Sequence, residues 1–354
     1  MTPSRHGPVA CCSAVAVDSG PLPRVTTEGS TVRIAFLGTP EVAVPALEAL
    51  VAADDIEVVA VLCNPDRPRG RRGTPQPPPV KVAAAAHGLE VWQPTKPREV
   101  LDELRALHLD ACAVVAYGAL LPADVLAAGG RGFVNLHFSL LPRWRGAAPV
   151  QHTLRAGDEV TGVTTFVLDE GMDTGPVLRR VEVPVAPRER MGELLARLAD
   201  LGAPVLVESL RALHAGEEPE PQPTTGATLA PKIAPDDVRL DLTRPAVEID
   251  RLVRSADPAP GAHTTFRGDR LKVFDAQPLD RAAAAVAADE LTAAPAPGTV
   301  LAVDREGVVV ACGHGAVRLT EVQPAGKPRM AAADFANGAR IEVGEQLGAD
   351  SHSA

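Results

Sequence analysis

The sequence predicts an α/β protein: a doubly wound, mostly parallel sheet followed by a small β domain. Three observations carry this. Between residues 32 and 138, short apolar runs alternate with helical patterns, as βαβ units do. A polar, proline-rich stretch at 216–235 then interrupts the alternation. Beyond it the pattern becomes about five short strands with turns between them, enough for a small barrel.

Each element has a local reason. Val32 to Leu37 reads as a buried strand, Gly38-Thr39-Pro40 as a turn and Ala43 to Ala53 as a helix. Ile56 to Cys63 is a second strand, followed by a Pro- and Arg-rich loop at 64–79. Val80 to His87 suits a helix and Leu89 to Gln93 a short strand. In Val100 to His108, Leu101, Leu104 and Leu107 share one helical face. Ala111 to Ala116 is a strand, Pro122 to Ala128 a helix and Phe133 to Phe138 a strand bounded by Gly132 and a Ser-Leu-Leu-Pro turn. Gly162 to Asp169 and Pro176 to Pro184 read as strands flanking a Gly-rich turn. A helix from Met191 to His214 is expected to break or kink at Gly202 and Pro204. Past the connector, Ala246 to Arg254 is a helix. Thr264 to Phe266, Arg270 to Ala276, Gly298 to Val303, Gly307 to Ala311 and Ala316 to Val322 are strands.

These readings place a Rossmann-like catalytic domain at 31–215, a linker at 216–235, a small barrel at 236–348 and a tail at 349–354. Residues 1–30 lack periodicity and are expected to be disordered, with the natural start near Val32; intact mass of the native protein would decide. Gly38 sits in Gly-Thr-Pro rather than Gly-x-Gly-x-x-Gly, so a dinucleotide site is not supported.

At 354 residues the chain has room for two domains. Aromatics are only 3% of it, so the core must come from Ala, Val and Leu. Five Cys without paired spacing point to a reduced, cytosolic chain. No His or Cys spacing suggests a metal, and no apolar run approaches the length of a membrane span. The net charge of −10 argues against a nucleic-acid partner unless a local patch overrides it. One candidate exists, because Arg67, Arg69, Arg71 and Arg72 crowd one loop. Between 236 and 345 there are 13 Lys and Arg against 17 Asp and Glu, so any phosphate-binding surface there must be one-sided.

The chemistry-bearing residues follow from the strand at 133–138. Side chains alternate along a strand, so Asn135 and His137 project the same way, near the strand end where α/β folds place ligands. An amide donates to a developing oxyanion, and an imidazole moves protons near neutral pH. Asp173, in the turn Asp169-Glu-Gly-Met-Asp-Thr-Gly175, is placed to orient or charge that His. Any one of the three alone would be read as a structural residue; the set points to one reaction centre.

Asn135-x-His137-x-Ser-Leu-Leu-Pro142, the following Arg143-Trp-Arg-Gly-Ala-Ala-Pro149 and Asp169-x-Gly-x-Asp-Thr-Gly175 together resemble the folate-dependent formyltransferases. Arg33-Ile-Ala-Phe-Leu-Gly-Thr-Pro40, Asn64-Pro-Asp-Arg-Pro-Arg-Gly-Arg71, Ala230-Pro-Lys-Ile233, Ala325-Gly-Lys-Pro-Arg-Met330 and Asp334-Phe-Ala-Asn-Gly338 narrow the resemblance to the methionyl-tRNA formyltransferase family, over roughly residues 32–348. The resemblance implies an OB-like barrel at the C-terminus and transfer of formyl from 10-formyltetrahydrofolate to methionine on initiator tRNA. It further implies catalysis by Asn135, His137 and Asp173 without a metal. Asn135 would hold the formyl group and donate to the oxyanion. His137 would stabilise the oxyanion or shuttle the proton. Asp173 would hold His137 and help deprotonate the amine. Ser139, Leu140, Leu141 and Pro142 would contact the folate, and Asp169 would shape the pterin pocket or serve the turn alone. Arg67, Arg71, Arg72, Lys232 and Lys327 would contact tRNA, with Arg71 foremost and Arg329 a weaker candidate. Where the family loop often continues with lysines, this chain has Thr74-Pro-Gln-Pro77, which lowers the local charge. Trp144 stacks near the substrate or packs the loop. A cytoplasmic monomer is expected. The competing readings are a formyltransferase for an amino sugar-nucleotide or glycinamide nucleotide, and a non-catalytic binding module.

Overall fold

The computed structural model describes residues 31–68, 73–279 and 295–348. The first sheet has seven strands: β1 (Val32–Gly38), β2 (Ile56–Leu62), β5 (Val91–Trp92), β6 (Ala111–Val115), β7 (Phe133–His137), β8 (Val160–Val167) and β9 (Val177–Pro184). Between β2 and β5 the arginine loop carries a two-stranded ribbon, β3 (Arg67–Pro68) with β4 (Pro75–Gln76), where the sequence pattern alone shows only a loop. The sheet order is β5-β2-β1-β6-β7-β8-β9. Its first five strands run parallel, and β8 and β9 continue it as antiparallel partners. The result is a mixed α/β fold with a mostly parallel central sheet. Strand order reverses between β1 and β6, and the C-terminal ends of the parallel strands lie beside that reversal, where such sheets bind ligands.

Helices α1 (Val44–Val51), α2 (Pro79–Ala86), α3 (Leu101–Ala106), α4 (Ala123–Leu126), α5 (Pro149–Ala156) and α6 (Met191–His214) cover the sheet. Phe36, Leu47, Leu136, Leu198 and Leu206 are buried in the core between helices and sheet. Two expectations needed correction. Helix α5 was not foreseen, although Pro149 at its first turn and Gly157 in the left-handed region after it are ordinary helix boundaries. Helix α6 runs without interruption through Gly202 and Pro204. A Cβ at Gly202 would lie 2.8 Å from the Leu136 methyl groups, so the glycine lets the helix pack close on the sheet at that point and a larger residue would have to displace Leu136. Burial of one whole helix face outweighs the hydrogen bond that Pro204 forfeits.

The C-terminal part holds α7 (Ala246–Ser255) and an antiparallel sheet of β10 (Ala262–Phe266), β11 (Asp269–Leu279), β12 (Val300–Asp304), β13 (Gly307–Ala311) and β14 (Ala316–Pro324). Strand β15 (Met330–Ala331) pairs with β14, and α8 (Ala332–Ala339) closes one side. Neither β15 nor α8 was anticipated. Val273, Val310, Val317 and Val322 are buried in its separate core.

An arginine-rich seam joins the two parts. Arg188 reaches Asp275 at 2.7 Å and Asp250 at 3.0 Å, while Arg190 and Arg329 reach Asp257 at 3.1 and 3.2 Å. Arg254 also pairs with Asp250, at 3.0 Å. The expectations for residues 1–30, 280–294 and 349–354 lie outside the described residues.

Candidate active site

Strand β7 is buried on both faces, between β6 and β8, and delivers His137 at its last position. The His137 side chain is 6% exposed. Its Nδ1 lies 3.6 Å from Oδ2 of Asp173, and its Nε2 lies 2.9 Å from the carbonyl oxygen of Trp144. Asn135 is half-buried two residues earlier on the same face. Among the described residues no group hydrogen-bonds its amide side chain, which is left for a ligand.

Asp173 takes a positive φ of 52° in the turn after β8. Its Oδ2 accepts the Gly146 N–H at 2.7 Å. Gly146 has φ +124°, and a Cβ there would sit 2.7 Å from the Ala230 carbonyl oxygen, so only glycine presents its N–H this way. Burial pulls the His137 pKa below its ordinary value; the Asp173 charge and the Trp144 carbonyl push the other way. The imidazole is thereby biased towards its neutral form.

The connector at 216–235, read from sequence as a linker, builds the rim of this site. Gln222 Nε2 donates to the carbonyls of Asp173 and Gly175 at 2.9 and 2.7 Å, and its Oε1 accepts from Arg145. Thr228 Oγ1 accepts the Trp144 N–H at 2.9 Å, and Ala230 exchanges backbone bonds with Arg145 and Ala148. Nothing in a polar, proline-rich stretch marks Gln222 or Thr228 in advance, because their partners lie about 50 to 85 positions away.

The other expected residues divide. Ser139 is fully buried and its hydroxyl donates to the Arg143 carbonyl, and Leu141 is 2% exposed; both side chains are committed to the fold. Leu140 and Pro142 remain partly exposed. Asp169 accepts from Gly171 N and Thr174 Oγ1, so its carboxylate shapes the turn that carries Asp173. Trp144 packs the loop: Arg143 stacks on its ring at 4.3 Å and Asp158 accepts its indole N–H at 2.8 Å. Arg67, Lys232 and Lys327 are exposed and have no ion-pair partner among the described residues. Arg329 is spent on Asp257 and Glu321. Arg71 and Arg72 lie outside the described residues. No group of three or more His, Cys, Asp or Glu among the described residues is arranged to hold a metal ion. No described helix is long and apolar enough to cross a membrane.

Comparison with known proteins matches residues 32–210 to the formyl transferase family and 232–340 to the formyl transferase C-terminal domain. The chain belongs to the formyltransferase family. Among its relatives, a methionyl-tRNA formyltransferase of Streptomyces coelicolor is 51% identical over 320 residues, 89% of this chain and 99% of the relative. One from Thermobifida fusca is 48% identical, over 90% of this chain and all of the relative. The crystal structure of HypX from Aquifex aeolicus in complex with tetrahydrofolic acid shares the fold: TM-score 0.59 at 19% identity, covering 90% of this chain and 49% of the other. Within this formyltransferase, the Asn135, His137 and Asp173 positions fall at the sheet's ligand end.

Proposed function

We propose that this chain transfers the formyl group of 10-formyltetrahydrofolate to the amino group of methionine on initiator tRNA, giving N-formylmethionyl-tRNA for translation initiation. The observation that carries the chemistry is the pairing of His137 with Asp173 beside the unengaged amide of Asn135. Full-length similarity to methionyl-tRNA formyltransferases, through both domains, favours a tRNA acceptor over an amino sugar-nucleotide.

The donor fits the residues present. An amide with no partner among the described residues suits a formyl carbonyl, and Leu140 and Pro142 offer apolar contact at the strand exit. When bound, the folate supplies an activated formyl carbon. Asn135 orients that group and donates to the oxygen as negative charge develops there. His137 and Asp173 take up and return protons as the amine attacks. The buried walls around His137 strengthen each of these interactions by excluding water.

For the acceptor, exposed Arg67, Lys232 and Lys327, together with Arg71 and Arg72, are assigned to the tRNA backbone, since guanidinium and ammonium groups pair with phosphate. The C-terminal sheet is assigned as an OB-like, tRNA-binding barrel, with domain limits at 31–215 and 236–348. The protein is assigned as a cytoplasmic monomer.

The direct test is formyl transfer from 10-formyltetrahydrofolate to methionine-charged initiator tRNA, with charged elongator tRNA beside it. Initiator-selective transfer is expected. Folate binding without transfer to either tRNA would redirect the reading to a small amine. Arg71→Ala should weaken tRNA use far more than folate binding, and equal losses of both would remove the loop's assigned role.

A further inference from the structure

A neutral imidazole carries one N–H, and the groups facing its two nitrogens decide which nitrogen holds it. Nε2 of His137 faces a backbone carbonyl oxygen at 2.9 Å, which can only accept. Nδ1 faces the Asp173 carboxylate at 3.6 Å, beyond a hydrogen bond, and that carboxylate oxygen is already turned to the Gly146 N–H. We propose that Trp144 is a positioning residue whose backbone carbonyl holds His137 as the Nε2–H tautomer, so that Nδ1 and the Asp173 carboxylate form a cradle of two acceptors for the protons of the attacking amine.

The carbonyl is aimed deliberately. Trp144 has φ +62°, a conformation unfavourable for a tryptophan unless its surroundings impose it. Its N–H is held by Thr228 Oγ1 at 2.9 Å and its indole N–H by Asp158 at 2.8 Å. Arg143 grips the same carboxylate of Asp158 and lies over the indole ring. The oxygen that meets His137 belongs to the Trp144–Arg145 peptide, whose N–H donates to the Thr228 carbonyl at 2.9 Å, so Thr228 holds the chain on both sides of Trp144. Burial of the ring favours the neutral state in which a tautomer choice exists.

This arrangement inverts the familiar carboxylate–imidazole pairing, in which the acid accepts an imidazole N–H and orients the ring. Here the orienting acceptor is a main-chain carbonyl, and Asp173 is left to face the substrate with Nδ1. It deepens the proposed formyl transfer and rests on it. As the amine nitrogen bonds to the formyl carbon, its proton passes to Nδ1 and the ring becomes imidazolium. The same proton then leaves for the departing nitrogen as that nitrogen's bond to the formyl carbon breaks. Until Nδ1 is protonated, Asn135 is the side-chain donor to the oxyanion.

The test is a two-bond ¹H–¹⁵N correlation spectrum of the resting protein labelled at histidine nitrogen, at neutral pH. His137 is picked out of the nine histidines by its loss in His137→Gln. A protonated Nε2 with a bare Nδ1 is expected. An Nδ1–H tautomer, or a ring protonated on both nitrogens, would overturn the proposal. Trp144→Phe keeps an aromatic ring under Arg143 but drops the indole N–H. It should admit the second tautomer and lower kcat about tenfold while leaving the KM for folate unchanged. If its spectrum and kcat match the wild type, Trp144 has no positioning role. The spectrum is read without substrate, so a failed transfer assay beside an Nε2–H signal would sink the proposed activity and leave the tautomer assignment standing.

Discussion

Carboxylates are treated in opposite ways in two regions of this molecule. At the seam between the two parts, Asp250 and Asp257 each face two arginines, and Asp275 faces Arg188 together with Thr320 and Gln277. At the site, Asp173 has one backbone donor and an imidazole nitrogen too far away for a hydrogen bond. A saturated carboxylate has nothing left to offer a substrate and serves to hold parts together. One left short of donors keeps an oxygen open to a substrate hydrogen. The contrast separates structural from chemical acids more sharply than burial does, since all of them are largely buried.

The largest effect that could break this contrast lies at the site. Asp173→Ala or Asn135→Ala should lower kcat by about a thousandfold or more while hardly shifting the urea midpoint. Near-normal turnover in either would remove that residue from the chemistry. At the seam the pattern should reverse. Asp257→Ala should cost about 1 kcal/mol in urea unfolding, because Arg190 and Arg329 each lose one partner while Glu321 remains to both and their partial exposure softens the loss. Its kcat per folded molecule should hold.

Acid should sharpen the seam's signature. Burial alone would raise the Asp275 pKa, but hydrogen bonds from Thr320 and Gln277 and the Arg188 charge outweigh it and leave the group below the usual carboxylate range. Its stabilisation is therefore complete above the ordinary carboxylate range and is lost as pH falls through the lowered folded value. The stability gap between wild type and Asp275→Asn should accordingly narrow only in strong acid, as followed by urea midpoints across pH. A gap that closes near neutrality would contradict the assignment. The smallest effect is expected at the rim. Gln222→Ala frees the carbonyls of Asp173 and Gly175 and should lower kcat about fivefold through misplacement of the turn, with little change in stability.

Much of this was legible beforehand. The strands of the first sheet were readable because each is a short apolar run closed by a turn former, and β7 announced its role through Asn135 and His137 spaced by two. Asp173 stood out as a carboxylate in the Gly-containing turn 169–175, of a type to orient or charge that His. Helix α5 escaped although Pro149, Val150, Thr153 and Leu154 line one buried face at helical spacing, because eight residues give only about two turns in which to see it. The connector's hydrogen bonds to the site were not legible because composition describes a segment's own preferences and says nothing of the surface it crosses.

By itself the sequence determined the alternating α/β layout, the change to a run of short strands after the connector and three candidate residues for a reaction centre. These follow from local periodicity and from side-chain chemistry, which a linear chain displays. Only the tertiary structure decided that α6 runs through Pro204, that Gln222 and Thr228 return to the site, and that His137 meets a carbonyl on one side and a carboxylate on the other. Those outcomes depend on distances between groups far apart in the chain, and packing sets such distances where local preference cannot.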